Sequence, residues 1–216
     1  HMEGRSEGFF VEYRLLHRDG TTRWIQTRGG VTERDEQGRP LRLSGVALDV
    51  TERKREEQAR ALLYRLGEMA QEARTLQELF PAIHLALLEF MRVPNLFIAL
   101  YDPQRDLISF PYYVDEMDQE IPGPIPPGKT LTAHVLRSGR PLLLRPEQRD
   151  ELVASGELAP IGSPCRDWLG LPLKSKGRAL GVLAVQSYDD DLRFTEEDER
   201  VLAFVSGQIA LAIERK

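Results

Sequence analysis

Apolar and polar positions alternate from Phe9 to Val50, and the alternation stops at "RDG" and again at "EQG". A period of two marks a strand with one buried face, and Asp-Gly favours a tight hairpin turn. The pattern predicts strands near 9–17, 21–33 and 41–50, joined as an antiparallel meander. Three strands leave an apolar face in need of a cover, and a segment of about forty residues rarely stabilises itself alone.

At Thr51 the period changes to that of a helix, with Thr51 placed to cap it and Glu52 in the first turn. Ala59, Leu62, Leu66, Met69, Ala73 and Leu76 are spaced three and four apart, the rhythm of a coiled-coil seam. The stripe suits two arrangements, a seam between two copies or a helix laid on its own domain. We take the dimer seam as the expectation.

Beyond residue 75 helix and strand patterns mix. "LQELFPAIHLALLEFM" reads as a helix, and "NLFIALYD" and "LISFPYYVD" as an antiparallel pair turning at Asp102 to Asp106. "TLTAHVLRSG" reads as a short helix capped by Thr130 and stopped by Gly139. "WLGLPLKS" and "ALGVLAVQSY" form a hairpin across "KGR". The last segment, "FTEEDERVLAFVSGQIALAIERK", has Thr195 as cap and acidic residues at the positive end of the helix dipole. Its stripe of Leu202, Val205, Ile209 and Ile213, widened by Val201, Phe204 and Leu211, predicts packing on two sides, one of them a partner chain.

"GPIPPGKT", Gly123 to Thr130, satisfies the letters of a phosphate loop. Such a loop works by converging backbone N–H groups on an anion, and proline has none. Pro124, Pro126 and Pro127 fill three of the four places between the glycines, and the acidic "VDEMDQEIP" before them is no buried strand. The stretch reads as a stiffened loop feeding a helix, and nucleotide binding through Lys129 is the minor alternative.

Composition narrows the partners. A net charge of -5 offers no basic excess for nucleic acid or an anionic membrane surface. The longest apolar runs fall short of the roughly 20 residues a bilayer requires, and we expect no signal peptide. A lone Cys165 excludes an internal disulfide framework and makes a reducing cytoplasmic setting the expectation. The histidines show no metal-binding spacing, and no nucleophile, base and orienter assemble from motifs. We expect no metal, no cofactor and no catalytic residue.

Four blocks in order, "SGRPLLL", "WLGLPL", "GRALGVLAVQS" and "FTEEDERVLAFVSGQIALAIE", resemble a GAF domain over residues 76–216. Residues 1–50, ending in "LDVTERK", resemble the C-terminal strands of a PAS domain, with 51–75 as the signalling linker helix. The resemblance implies an α+β fold: a GAF-like central antiparallel sheet with flanking helices, after a short three-stranded PAS-type meander and a long helix. It implies a junction at Asp49 and Thr51, where the last PAS strand hands over to the helix. It further implies a cytoplasmic, homodimeric sensory module of a bacterial signalling protein. Such a module senses a small molecule for an output domain such as the histidine kinase of a two-component system or a diguanylate cyclase. A structural dimerisation adaptor with a filled core is the second reading.

The resemblance places a pocket over the sheet, with Phe97, Ala99, Tyr101, Phe110, Tyr112, Trp168 and Leu171 as lining candidates; the same residues suit a filled core. It assigns the dimer seam to Ala59, Leu62, Leu66, Met69, Ala73, Leu202, Val205 and Ile209. The family's cyclic-nucleotide signature fails here, because Asp190 and Asp191 stand where an Asn-Lys pair belongs. Cys165 is followed by Arg166 and not by the histidine of a chromophore attachment site. One thiol cannot complete the cycle of the branch that reduces methionine sulfoxide.

Overall fold

The computed structural model describes residues 8–18, 20–159 and 162–215, in two units comprising residues 1–60 and 61–216. Asp19 of the "RDG" turn lies outside the described residues.

In the first unit, β1 (Gly8–Leu16), β2 (Thr22–Arg34) and β3 (Pro40–Asp49) form an antiparallel sheet in the order β1-β2-β3. The turn between β2 and β3 is held by Asp35, whose Oδ1 accepts from the amides of Gln37 and Arg39 at 3.0 and 2.8 Å, with Gly38 at φ 80°. Helix α1 (Thr51–Glu72) follows directly. Thr51 is its first residue and not the expected cap: its hydroxyl turns back to donate to Asp49 Oδ1 at 2.6 Å, which also accepts the Thr51 amide at 2.9 Å. The same hydroxyl oxygen accepts the Trp24 amide at 2.9 Å, so strand β2, strand β3 and the helix start share one polar knot. Next to it Glu12 bonds Lys54, Gln26 and Arg53, in that order of effect, and its carboxyl is held down to about 2.

The second unit carries α2 (Leu76–Phe90), β4 (Asn95–Asp102), β5 (Leu107–Val114), α3 (Leu131–Ser138), β6 (Leu142–Leu144), α4 (Pro146–Ala154), β7 (Asp167–Ser175), β8 (Arg178–Ser187) and α5 (Glu196–Arg215). Its sheet is antiparallel in the order β5-β4-β8-β7-β6. The caps read from sequence are present at α3, where Thr130 Oγ1 accepts the Ala133 amide at 3.0 Å and Gly139 takes the left-handed conformation. Thr195 and Asp198 close a reciprocal cap at α5: the Asp198 carboxylate accepts from the Thr195 amide and hydroxyl, and Thr195 Oγ1 accepts the Asp198 amide. Strand β6 and helix α4 were not predicted as elements; "PEQRDELVA" buries no residue fully and has no apolar stripe to announce a helix.

Strand alternation divides the apolar side chains between two cores. Leu96 and Ile98 of β4, Leu169, Leu171 and Leu173 of β7, and Leu183 and Val185 of β8 point to the helices α1, α2 and α5. Phe97, Ala99, Trp168, Val182 and Ala184 point to the other face, beneath α3.

The seam residues are corrected by this packing. Leu66, Leu202, Val205 and Ile209 are fully buried in the helical core of their own domain, Leu62 nearly so, and Met69 and Ala73 pack against them. A side chain already enclosed by its own sheet cannot fill a partner's groove. The outward apolar residues of these helices are others: Tyr64, Leu85, Leu88, Phe204 and Leu211. Ala59 is half-buried in the first unit.

Candidate functional site: a cavity over the sheet

On the sheet face away from the helical core lies a cavity of about 770 Å³, within the roughly 300–1,000 Å³ typical of ligand pockets. Phe97, Trp168 and Gln186 form its floor. Ile108, Phe110 and Tyr113 of β5 form one wall, and Arg149 and Val153 of α4 another. Thr132 at the start of α3, residues 117–120, Leu158, Ala159 and residues 162–165 also line it.

Of the seven lining residues predicted, Phe97, Phe110 and Trp168 line this cavity. Ala99 lies on the same face but in the packed part of that core. Tyr101 lines a second cavity of about 350 Å³ with Arg137 and Arg178. Tyr112 and Leu171 are corrections: both belong to the helical side. Leu171 stands three residues from Trp168, so alternation sends the two to opposite faces. For Tyr112 the cause is a bulge: β5 pairs Tyr112 with Ile98 but Ser109 with Leu100, so Phe110 and Pro111 together oppose Ala99. The extra residue flips the parity, and Tyr113, not Tyr112, joins Phe97 and Phe110. These three rings pack with centroids 5.8 to 6.1 Å apart. Gly170 belongs to the same design, since a Cβ there would fall 2.1 Å from the Trp168 ring, which lies flat across the strand.

Tyr112 has its own role. Its hydroxyl meets His84 Nδ1 at 2.8 Å, and His84 Nε2 meets the Val93 carbonyl at 2.7 Å. A carbonyl only accepts, so Nε2 carries the proton and Nδ1 accepts from tyrosine. Burial lowers the histidine's pKa and the Val93 contact opposes this more weakly.

The polar rim of the cavity escaped sequence reading. Asp115 is buried and accepts from the amides of Met117 and Asp118, both at 2.8 Å, from the Tyr188 hydroxyl at 3.1 Å, and from Gln186 Nε2. Asp118 accepts the Ser163 amide and hydroxyl at 2.9 and 3.0 Å and so ties the loop after β5 to the loop before β7. Asn95 accepts the Glu116 amide at 2.8 Å and donates to the Gln186 carbonyl. Only the acidic run "VDEMD" and the short side chains that favour turns hinted at this knot. Cys165 also lines the cavity; burial, first among its causes, pushes its thiol up and keeps it protonated.

The cavity wall connects to α5. Arg149 Nη1 donates to the Cys165 carbonyl at 2.9 Å, and Arg145, immediately before α4, reaches Asp167. Asp167 is fully buried and also accepts from Arg193 and from the Phe194 amide, two residues before α5 begins. In "GPIPPGKT", Ile125 bridges Ile108 through both backbone groups, and Lys129 Nζ donates to the Gly156 carbonyl at 2.6 Å. No strand runs directly into that loop, since β5 ends at Val114, and its lysine is engaged.

A five-stranded antiparallel sheet with α1, α2 and α5 on one face and a partly open cavity beside α3 and α4 on the other defines an α+β domain. A family model described as GAF domain matches residues 73–214, and one described as PAS fold matches residues 1–47. The chain belongs to the GAF domain family, with a PAS-type fold ahead of it. No curated protein matches the sequence. Similar solved structures include the GAF domain of an Acinetobacter phosphoenolpyruvate-protein phosphotransferase, at 18% identity and TM-score 0.60 over 72% of this chain and 92% of that one. Another is the free methionine-R-sulfoxide reductase of Neisseria meningitidis in complex with its substrate, at 18% identity and TM-score 0.58 over 72% and 88%. A third, residues 122 to 287 of a methyl-accepting chemotaxis protein, has 17% identity and TM-score 0.58 over 69% and 95%. At these identities the likeness concerns the fold. Among the described residues no helix is long and apolar enough to cross a membrane, and no group of three metal-ligating side chains forms.

Proposed function

We propose that this chain is a non-catalytic, cytoplasmic sensory and dimerisation module of a bacterial signalling protein, binding a small molecule in the GAF cavity. The observation that carries the reading is the cavity itself: about 770 Å³ of open space over a sheet face whose aromatics stand aside instead of filling it. That openness argues against the adaptor with a filled core. A chemotaxis protein among the similar folds fits a sensory role. The reductases in that set share the fold, but here one protonated, buried thiol lacks a resolving partner.

Ligand contacts on α4 reach α5 through Arg145, Asp167 and Phe194, and a shift of α5 then biases a kinase or cyclase output domain. The homodimer is retained in this reading, with its contacts moved to the outward residues Leu85, Leu88, Phe204 and Leu211. The test is a thermal-shift screen of the intact chain against a metabolite library, with Ala159→Trp as control. Ala159 lines the cavity, and the larger ring fills it. Stabilisation by a compound in the parent and not in the variant supports the reading. A library that shifts neither contradicts it.

A further inference from the structure

The hydrogen-bonding groups left open in the cavity restrict what it can hold. Gln186 is 9% exposed and lines the cavity; its Nε2 donates to Asp115 and to the Tyr188 oxygen. That orientation is fixed, because the flipped amide would set Oε1 against a carboxylate. Gln186 Oε1 is therefore an acceptor without a partner among the described residues. The Tyr188 hydroxyl donates its hydrogen bond to Asp115. Thr132, 7% exposed, also lines the cavity, and its hydroxyl has no partner among the described residues. Both oxygens face the open space of the cavity, where each can accept a hydrogen bond from a bound molecule in place of water.

Charge points the same way. The acidic and basic side chains lining the cavity are Asp118, Glu120 and Asp150 against Arg149, three carboxyls to one guanidinium. Arg149 is already engaged, by Asp150 through Nε and Nη2 and by the Cys165 carbonyl through Nη1. Buried Asp115 adds a further carboxyl group beneath the floor. Tyr113 on the wall registers the field: burial first, then Asp115 and Asp118, pushes its hydroxyl up to about 12. The rest of the lining is aromatic, with Phe97, Phe110, Tyr113 and Trp168 offering flat faces.

We propose that the cavity takes a flat aromatic ligand, cationic or neutral, that brings an N–H donor to Gln186 Oε1, and that it excludes anions. This rests on the cavity being the small-molecule site proposed above. Aromatic faces attract a cation electrostatically and stack on a flat ring, and the carboxylate rim repels an anion by the same Coulomb term.

The test is calorimetric titration of the intact chain, at neutral pH and low salt, with three probes of one shape: 1-naphthylmethylamine, 1-naphthylmethanol and 1-naphthoate. The amine is expected to bind at least tenfold more tightly than the naphthoate, with the alcohol between. Glu120→Gln, at an exposed rim position, and Asp118→Asn should each narrow the amine-to-naphthoate ratio. Thr132→Val should weaken the alcohol and amine. Naphthoate binding as tightly as the amine, and abolished by Ala159→Trp, overturns the ligand class while leaving a small-molecule site. Absence of any heat that Ala159→Trp removes overturns both.

Discussion

Asp167 Oδ1 accepts from Arg193 at 2.9 Å at the foot of β7, while its other oxygen takes the Phe194 amide at 2.8 Å and the guanidinium of Arg145. One buried carboxylate thus joins the base of the cavity's α4 wall to the entry of α5. Its three donors come from two separate loops, so the sheet edge, α4 and α5 are fixed against each other at a single point.

Removing that carboxylate leaves buried donors unmatched. Asp167→Ala should lower stability in urea by about 3–5 kcal/mol. Arg193→Ala should cost far less, because that side chain is 43% exposed and Asp167 keeps its other partners. Equal losses in the two variants would contradict the central place of Asp167.

Leu66 was read as a seam residue and is a core residue. Leu66→Ala should destabilise the fold by about 2–5 kcal/mol and leave the sedimentation coefficient at a fixed concentration unchanged. A Leu66→Ala chain of parental stability that sediments more slowly would return Leu66 to an interface.

Much of the fold was legible because it rests on local physics. The meander, the caps at Thr130 and Thr195, and the hairpin before α5 each follow from period and turn chemistry. The seam was misassigned because a three-four spacing specifies an apolar stripe, not what covers it. The site is legible in part: the family resemblance brings Phe97, Phe110 and Trp168 to the pocket, but it does not carry the bulge at Phe110 and Pro111 that exchanges Tyr112 for Tyr113. Asp115, Asp118 and Gln186 are invisible because the partners that join the loops and strands around the cavity lie 45 to 73 residues away along the chain.

His84 should make stability depend on pH. Its folded pKa is lowered by burial, so between that value and about 6.5 the unfolded chain binds the extra proton. Stability from this group is present above about 6.5 and is lost as pH falls below it. Urea midpoints measured from pH 8 to 5 should decline more steeply in the parent than in His84→Gln; parallel curves would contradict a neutral, buried imidazole.

Lys129→Ala should leave the chain folded, at a cost of about 0.5–1.5 kcal/mol for the lost bond to Gly156, and calorimetry with ATP should show no saturable heat in either protein. Saturable binding in the parent, lost in the variant, would restore a nucleotide site at "GPIPPGKT".

Whether the cavity holds a molecule is most directly answered by native mass spectrometry of the purified chain, with Ala159→Trp alongside. The expected spectrum shows a dimer whose parent form carries a non-covalent adduct that the variant lacks. Both proteins at their own bare masses, without an adduct before or after incubation with 1-naphthylmethylamine, would contradict a ligand-sensing cavity.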